Sequence, residues 1–108
     1  MEIQARMRNG VRKVRIAGEM TIYSAAESKQ ELLWKLDGAN QIEIDLSGVS
    51  ELDSAGLQLL ILLKQEAGRQ GKVLRLLAHS LAVLEVFTLL RADTLFGDPV
   101  VLPSGLNC

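Results

Sequence analysis

The chain has 108 residues, of which 48% are hydrophobic and 23% are charged, and 12 Lys plus Arg against 13 Asp plus Glu give a formal net charge of −1. This length fits one domain, expected to span residues 1–108, and the absence of basic runs interleaved with aromatics argues against direct nucleic-acid binding. No apolar stretch approaches the roughly 20 residues of a membrane span, and the first residues lack the charged start and apolar core of a signal peptide. We therefore expect a cytoplasmic protein without membrane insertion, whose partners are proteins or small ligands.

The first part of the chain predicts two antiparallel strands joined by the two-residue turn Asn9-Gly10, because apolar and polar residues alternate on both sides of it. The second strand is expected to stop near Gly18. The segment Ser24-Ala25-Ala26-Glu27 is typical of a capping box, and it predicts a helix that begins there and ends at Gly38. A third strand is expected from Gln41 to Leu46, where apolar and acidic residues again alternate.

The second part of the chain begins with the apolar run Leu57–Leu63, whose periodicity alone would also suit a buried strand. The helix propensity of Leu, a possible cap at Asp53-Ser54 and a continuous pattern to a stop around Gly71 favour a helix. A strand at Val73–Leu77 and a helix at Leu81–Leu90 are predicted next. Residues 100–102 suggest a short last strand, and about 103–108 form a tail.

Charged residues interrupt the predicted strands at strand period, so one face of the sheet should contact water. These residues are Arg6, Arg15, Glu43, Asp45 and Arg75. The pattern predicts an α/β fold of four to five strands with helices packed on one face of the sheet. It argues against a doubly wound nucleotide-binding fold, as does the lack of a glycine-rich phosphate loop.

Ser54 is the main candidate for a functional residue, because it lies where a strand gives way to a long helix. The unpaired N–H groups and partial positive charge of a helix N-terminus would favour a phosphate on its hydroxyl. The same position also suits an ordinary helix cap, and the residues themselves leave both interpretations open. The lone His79 and lone Cys108 offer no metal cluster and no internal disulfide, so no metal, cofactor or catalytic residue is predicted.

The run from Asp45 to Leu57, DLSGVSELDSAGL, resembles the signature of STAS domains, the family of bacterial anti-sigma factor antagonists. Gly18-Glu19-Met20 is similar to a second family segment, and the similarity continues through residues 71–76 and 83–87. The resemblance therefore covers most of the chain and implies the STAS fold, a small mixed sheet with helices on one face.

The resemblance also implies a partner switch, in which the unphosphorylated antagonist binds a kinase-like anti-sigma factor and phosphorylation of Ser54 ends the interaction. A serine kinase/anti-sigma factor and a phosphatase are the implied partners, and the protein is expected to be a monomer or weak dimer. The expected partner-binding residues surround Ser54: Met20, Thr21, Ile22, Tyr23, Asp53, Ala55, Gly56 and Leu57. Asp53 would orient or cap, and Gly56 would keep the turn open to a nucleotide phosphate.

Several points remain open at this level. Thr21 stands where many antagonists have an acidic residue; it could be a second modified site or only a turn or cap residue. The apolar residues of the helix after Ser54 wrap most of the way round it, so part of them is either covered by neighbouring helices or docks a partner. Stand-alone STAS proteins also resemble the small cytoplasmic subunit of lipid-transporting ABC systems, which is the alternative function, and some STAS domains have been linked to nucleotide binding.

Overall fold

Four strands form one mixed sheet in the order β1-β2-β3-β4, in which β1 is antiparallel to β2 and the other pairs are parallel. The computed structural model describes residues 1–90. The elements are β1 (Glu2–Arg8), β2 (Val11–Met20), α1 (Ile22–Trp34), β3 (Gln41–Leu52), α2 (Ser54–Arg69), β4 (Val73–Leu77) and α3 (Leu81–Leu90). The fold predicted from the sequence is confirmed, and the suggested strand at 100–102 lies outside the described residues.

The hairpin between β1 and β2 has the predicted two-residue turn. Asn9 and Gly10 both have positive φ, at 53° and 79°, and Arg8 pairs directly with Val11. This backbone conformation matches the twist of the flanking strands, and asparagine and glycine adopt it at low cost.

Strands β2 and β3 both extend beyond their predicted ends near Gly18 and Leu46. Residues 17–20 of β2 pair with residues 48–52 of β3, and the register shifts between Arg15 and Ala17 and again between Gly18 and Glu19. Such irregularities break the alternation by which a strand is recognised in a sequence, which explains why both ends were predicted too early. The extension carries Met20 and Leu52 side by side to the points where α1 and α2 begin.

Helix α1 begins at Ile22, ahead of the capping box predicted at Ser24, and that prediction is wrong in register. Thr21 is the N-cap: its hydroxyl accepts a hydrogen bond from the Tyr23 N–H at 3.3 Å, and its own N–H donates to Ser24 Oγ at 3.1 Å. Ser24 is therefore the third helical residue, which completes the box. The helix ends at Trp34, and Gly38 adopts a positive φ of 82° in the turns that follow.

Helix α2 ends as predicted around Gly71, which has a positive φ of 72°. The Gly71 N–H donates to the Gly68 carbonyl at 3.1 Å, and the Lys72 N–H donates to the Ala67 carbonyl at 2.8 Å. These two bonds form a Schellman motif, which satisfies carbonyls at the end of the helix and directs the chain into β4.

One hydrophobic core joins the helices to the sheet. The strands contribute residues such as Ile16, Ile44 and Leu76, and α2 contributes Leu60 and Leu63, all almost fully buried. The alternate strand positions point away from this core and are mostly charged or polar, so one face of the sheet contacts water as predicted.

Helix α3 packs beside β3 and buries Val83 and Phe87. His79, in the loop before α3, is buried and lies edge-on to the Phe87 ring with centroids 5.1 Å apart. Across residues 1–90, no helix combines the length and hydrophobicity needed to cross a membrane.

Candidate functional site

A single carboxylate connects the N-termini of α1 and α2. Asp53 is the N-cap of α2, and its Oδ1 accepts a hydrogen bond from the Gly56 N–H at 3.0 Å. Its Oδ2 accepts from the Ile22 N–H, at the start of α1, at 2.8 Å. The Gly56 N–H, followed by other backbone donors that include Ile22, lowers the pKa of Asp53 below its ordinary value of 3.8 against the opposing effect of burial.

Ser54 follows this cap as the first residue of α2, and its side chain is exposed. Its hydroxyl makes no hydrogen bond within residues 1–90. The cap of α2 is therefore Asp53, as the sequence allowed, and the interpretation of Ser54 as the cap is wrong. The serine hydroxyl is available for chemistry at a helix N-terminus without loss of the capping bonds.

Gly56 lies against the backbone at the end of β2. A Cβ atom at this position would be 2.0 Å from the Met20 carbonyl oxygen and 2.7 Å from a methyl group of Leu52. The structure thus requires glycine here so that α2 can approach β2. The sequence suggested a different reason for a glycine here, namely to keep the turn open to a nucleotide phosphate. Gly56 is buried, and its close approach to β2 is the reason that the structure provides.

The residues predicted around Ser54 do come together, but at different depths. Ile22 and Tyr23 are exposed by 66% and 88%, while Asp53 and Ala55 are half-buried. Met20, Thr21, Gly56 and Leu57 are buried and support this surface from below. Burial of Thr21 in its capping box favours a cap over a second modified site.

An apolar groove between α1 and α2 continues from this surface, and we call it the helix groove. It is lined by Ala25, Ala26, Lys29, Ala55, Gln58, Leu59, Ile61, Leu62 and Gln65. Neighbouring elements bury Leu59, Leu60 and Leu63 of the apolar run, whereas Ile61 and Leu62 stay half-exposed. The sequence analysis did not predict that α1 lines one side of this groove. The two small residues Ala25 and Ala26, one turn after the start of the helix, could have indicated it.

Within the described residues, no group of three or more His, Cys, Asp or Glu side chains is placed to hold a metal ion. The site therefore consists of an exposed serine, a shared helix cap and an apolar surface made by two helices.

Comparison with known proteins agrees with this architecture. The family model described as "Mlab, STAS domain" matches residues 3–102. The chain belongs to the STAS domain family, and the resemblance seen in the sequence is confirmed.

Solved structures of several proteins, anti-sigma factor antagonists among them, have the same fold. The antagonist from Mycobacterium paratuberculosis has a TM-score of 0.79 and 24% identity, over 97% of this chain and 86% of that one. A serine-to-glutamate variant of RsbS from Moorella thermoacetica has a TM-score of 0.71 and 25% identity, over 94% and 87%. Phosphorylated SpoIIAA from Bacillus has a TM-score of 0.69 and 17% identity, over 96% and 93%. The chain thus has the same fold as these proteins.

Proposed function

We propose that this chain is a regulatory protein-binding module, a partner switch of the anti-sigma factor antagonist type that is controlled by phosphorylation of Ser54. The observation that supports it most directly is an exposed serine that is not the helix cap, beside exposed Ile22 and Tyr23. One structural relative is a phosphorylated antagonist, which adds support from the comparison. The chain itself acts as substrate and binding partner, and not as an enzyme, in the cytoplasm.

In this proposal the unmodified protein binds a serine kinase/anti-sigma factor through Ile22, Tyr23 and the helix groove. The kinase transfers the γ-phosphoryl group of ATP to Ser54 Oγ, and ADP and the hydroxyl proton are released. A phosphatase later cleaves the phosphoester with water and restores the hydroxyl. The switch needs only these two reactions, both catalysed by partners.

Phosphorylation would weaken binding for an electrostatic reason. A phosphoserine brings roughly −1.5 to −2 charges at neutral pH, next to the Asp53 carboxylate that already occupies the cap. Outside a complex, water and the helix N-terminus accommodate this charge. In an interface lined by Ile22 and Tyr23, the phosphate would lose its water, so the affinity falls while the fold is retained.

The first experiment incubates the protein with an extract of its own cells and ATP, followed by intact and peptide mass spectrometry. We expect one phosphate on Ser54, absent from Ser54→Ala, and unchanged labelling of Ser50→Ala, which removes another exposed serine. An unmodified Ser54 in an extract whose kinases label a control substrate would contradict the switch.

With the kinase isolated by this assay, calorimetry can measure its affinity for each variant. We expect Ser54→Glu to lower the affinity by about 100-fold, as expected for an unpaired charge in an interface. The matched variant Ser50→Glu should bind as the wild type does. Equal affinities for Ser54→Glu and Ser54→Ala would exclude control by charge at this position.

A subunit of a lipid-transporting ABC system is the second candidate, and the Mlab name of the matching family model favours it. The helix groove would then pack against the ATPase, and Ser54 would need no modification. In that case Leu62→Lys should abolish association with the ATPase, whereas Val73→Lys, an exposed apolar position on β4, should not. The variant Ser54→Glu distinguishes the two candidates. It should weaken binding of the kinase in the first, whereas the second does not depend on a charge at Ser54.

A further inference from the structure

The face of the sheet that points away from the core carries two rows of aligned side chains, which we call the open face. The register places Arg6, Lys13, Glu43 and Arg75 in one row across the four strands, and Gln4, Arg15, Asp45 and Leu77 in the next. Neighbouring strands lie about 5 Å apart, so these side chains can act on one ligand together. The helix groove and Ser54 belong to other elements and share no residue with this face.

The open face has an excess of positive charge. Its two rows contain four cations and two carboxylates, a formal charge of +2. Since the whole chain has a net charge of −1, the residues outside these rows carry −3. Positive charge is therefore concentrated on one face of an otherwise acidic protein, and the excess is a local property of the sheet.

Three arginines of this face have no side-chain partner among the residues that the structure describes. Glu43 forms an ion pair with Lys13 at 2.6 Å, and Asp45 Oδ1 accepts a hydrogen bond from the Ser47 N–H at 2.8 Å. Arg6, Arg15 and Arg75 make no ion pair or hydrogen bond through their side chains within residues 1–90. Their guanidinium groups keep all their donors for a ligand.

The open face is also concave. Gln4, Arg6, Lys13, Arg15, Glu43 and Asp45 line a depression, with Leu77 and Ala78 at the end of β4. Two of the unpaired arginines, Arg6 and Arg15, project from neighbouring strands into its lining, one on the edge strand β1. An extended chain lying in the depression would meet both of them.

We propose that the open face is a second interaction surface, which binds an acidic, extended polypeptide segment of a partner protein. Guanidinium groups bind carboxylates through paired hydrogen bonds, and Arg6, Arg15 and Arg75 offer this geometry at three points. Glu43 and Asp45 in the same rows would repel the continuous phosphates of a nucleic acid or an anionic membrane. A peptide of mixed composition can place its acidic residues on the arginines and avoid those two carboxylates.

The test uses a fluorescein-labelled peptide of alternating glutamate and threonine, about ten residues long like a long strand, and a glutamine–threonine peptide as its control. Fluorescence anisotropy measures binding at low and physiological salt. We expect only the glutamate peptide to bind, more weakly at higher salt because exposed charges are screened. Failure of the glutamate peptide to bind at low salt would overturn the proposal.

The matched variants separate the open face from overall charge. The triple variant Arg6→Gln, Arg15→Gln, Arg75→Gln should bind roughly tenfold more weakly or worse, given the strength of charge-assisted pairs. The control triple Lys29→Gln, Lys35→Gln, Arg69→Gln loses the same charge from α1, its C-cap and α2, and should bind as the wild type does. Equal losses in both triples would mean that net charge alone attracts the peptide, which would overturn the proposal.

A second measurement does not depend on the folding of any variant. In wild-type protein labelled with nitrogen-15, the glutamate peptide should shift amide signals of β1, β2 and β4 and leave those of α1 and α2 unchanged. Shifts confined to the helices, or tighter binding of a DNA oligonucleotide or phosphatidylglycerol vesicles than of the peptide, would contradict a polypeptide ligand. The Ser54→Glu protein should bind the peptide as the wild type does. Loss of peptide binding would therefore contradict the open-face proposal without contradicting the phosphorylation switch.

Discussion

At the scale of single residues, Asp53 and Ser54 have separate roles: Asp53 caps the helix, and Ser54 presents a hydroxyl that can be modified. Asp53 supplies both capping bonds, at 2.8 Å to Ile22 and 3.0 Å to Gly56, and so frees the neighbouring hydroxyl. The helix cap and the acceptor of a phosphate are therefore different side chains, and modification of Ser54 need not disturb the capping bonds.

Removal of the Asp53 carboxylate should therefore weaken two helix starts at once. Asp53→Ala is expected to lower the free energy of unfolding by about 1–2 kcal/mol, the usual cost of a lost N-cap. Glu51→Gln, at an exposed carboxylate two residues earlier, is the control and should change little. Urea unfolding at neutral pH measures both, and equal stabilities would show that the shared cap contributes nothing.

The same carboxylate should make stability depend on acid pH. Because the folded state lowers the pKa of Asp53, its contribution is complete above the ordinary value of 3.8 and is lost as the pH falls through the lower folded pKa. The difference in stability between wild type and Asp53→Ala should thus shrink below pH 3.8. Urea unfolding of both proteins across this range measures it, and a constant difference would exclude the linkage.

Two glycines of α2 should respond in opposite directions to alanine. At Gly56 the new Cβ would overlap the Met20 carbonyl oxygen, so Gly56→Ala should destabilise the protein by about 3 kcal/mol or more. Gly68 has no atom within 4 Å of such a Cβ, and Gly68→Ala should stabilise by about 0.5–1 kcal/mol through helix propensity. Thermal unfolding of both variants measures this contrast, and a stable Gly56→Ala protein would contradict the close approach of α2 to β2.

At the scale of elements, sequence patterns located every helix and strand within residues 1–90 but misplaced some of their ends. The turn at Asn9-Gly10 and the stop at Gly71 were predictable, because local backbone chemistry determines both. The start of α1 could not be predicted from the sequence, because Thr21 and Ser24 are both acceptable N-caps. Thr21 is the cap because β2 continues to Met20. The shared role of Asp53 was also hidden, since its bond to Ile22 spans 31 residues of sequence.

Helix α3 offers a test of which of its faces is packed. Phe87 is almost fully buried, with 2% exposure, whereas Leu89 is 81% exposed. Phe87→Ala should therefore cost about 3–5 kcal/mol of stability, and Leu89→Ala should cost less than about 0.5 kcal/mol. Urea unfolding compares them directly, and similar losses for the two would mean that α3 packs in another orientation.

At the scale of the whole molecule, the sheet separates two surfaces of different chemistry. The helix groove, with Ile22, Tyr23 and Ser54 nearby, is mostly apolar, and the open face on the strands is charged. Between them lies one core that joins α1, α2, α3 and the strands. This separation by the core allows each surface to bind independently, because a charge change on one side need not rearrange the other.

This independence predicts the behaviour of the protein when Ser54 carries charge. Ser54→Glu should leave the melting temperature within a few degrees of the wild type, because an exposed anion at a helix N-terminus is tolerated or slightly favourable. Nitrogen-15 spectra should show amide shifts confined to the neighbourhood of Ile22 and Asp53, with β1 and β4 unchanged. Shifts that spread across the sheet would mean that a charge at Ser54 acts by remodelling the fold. In that case the loss of partner affinity could no longer be assigned to repulsion and desolvation at the interface.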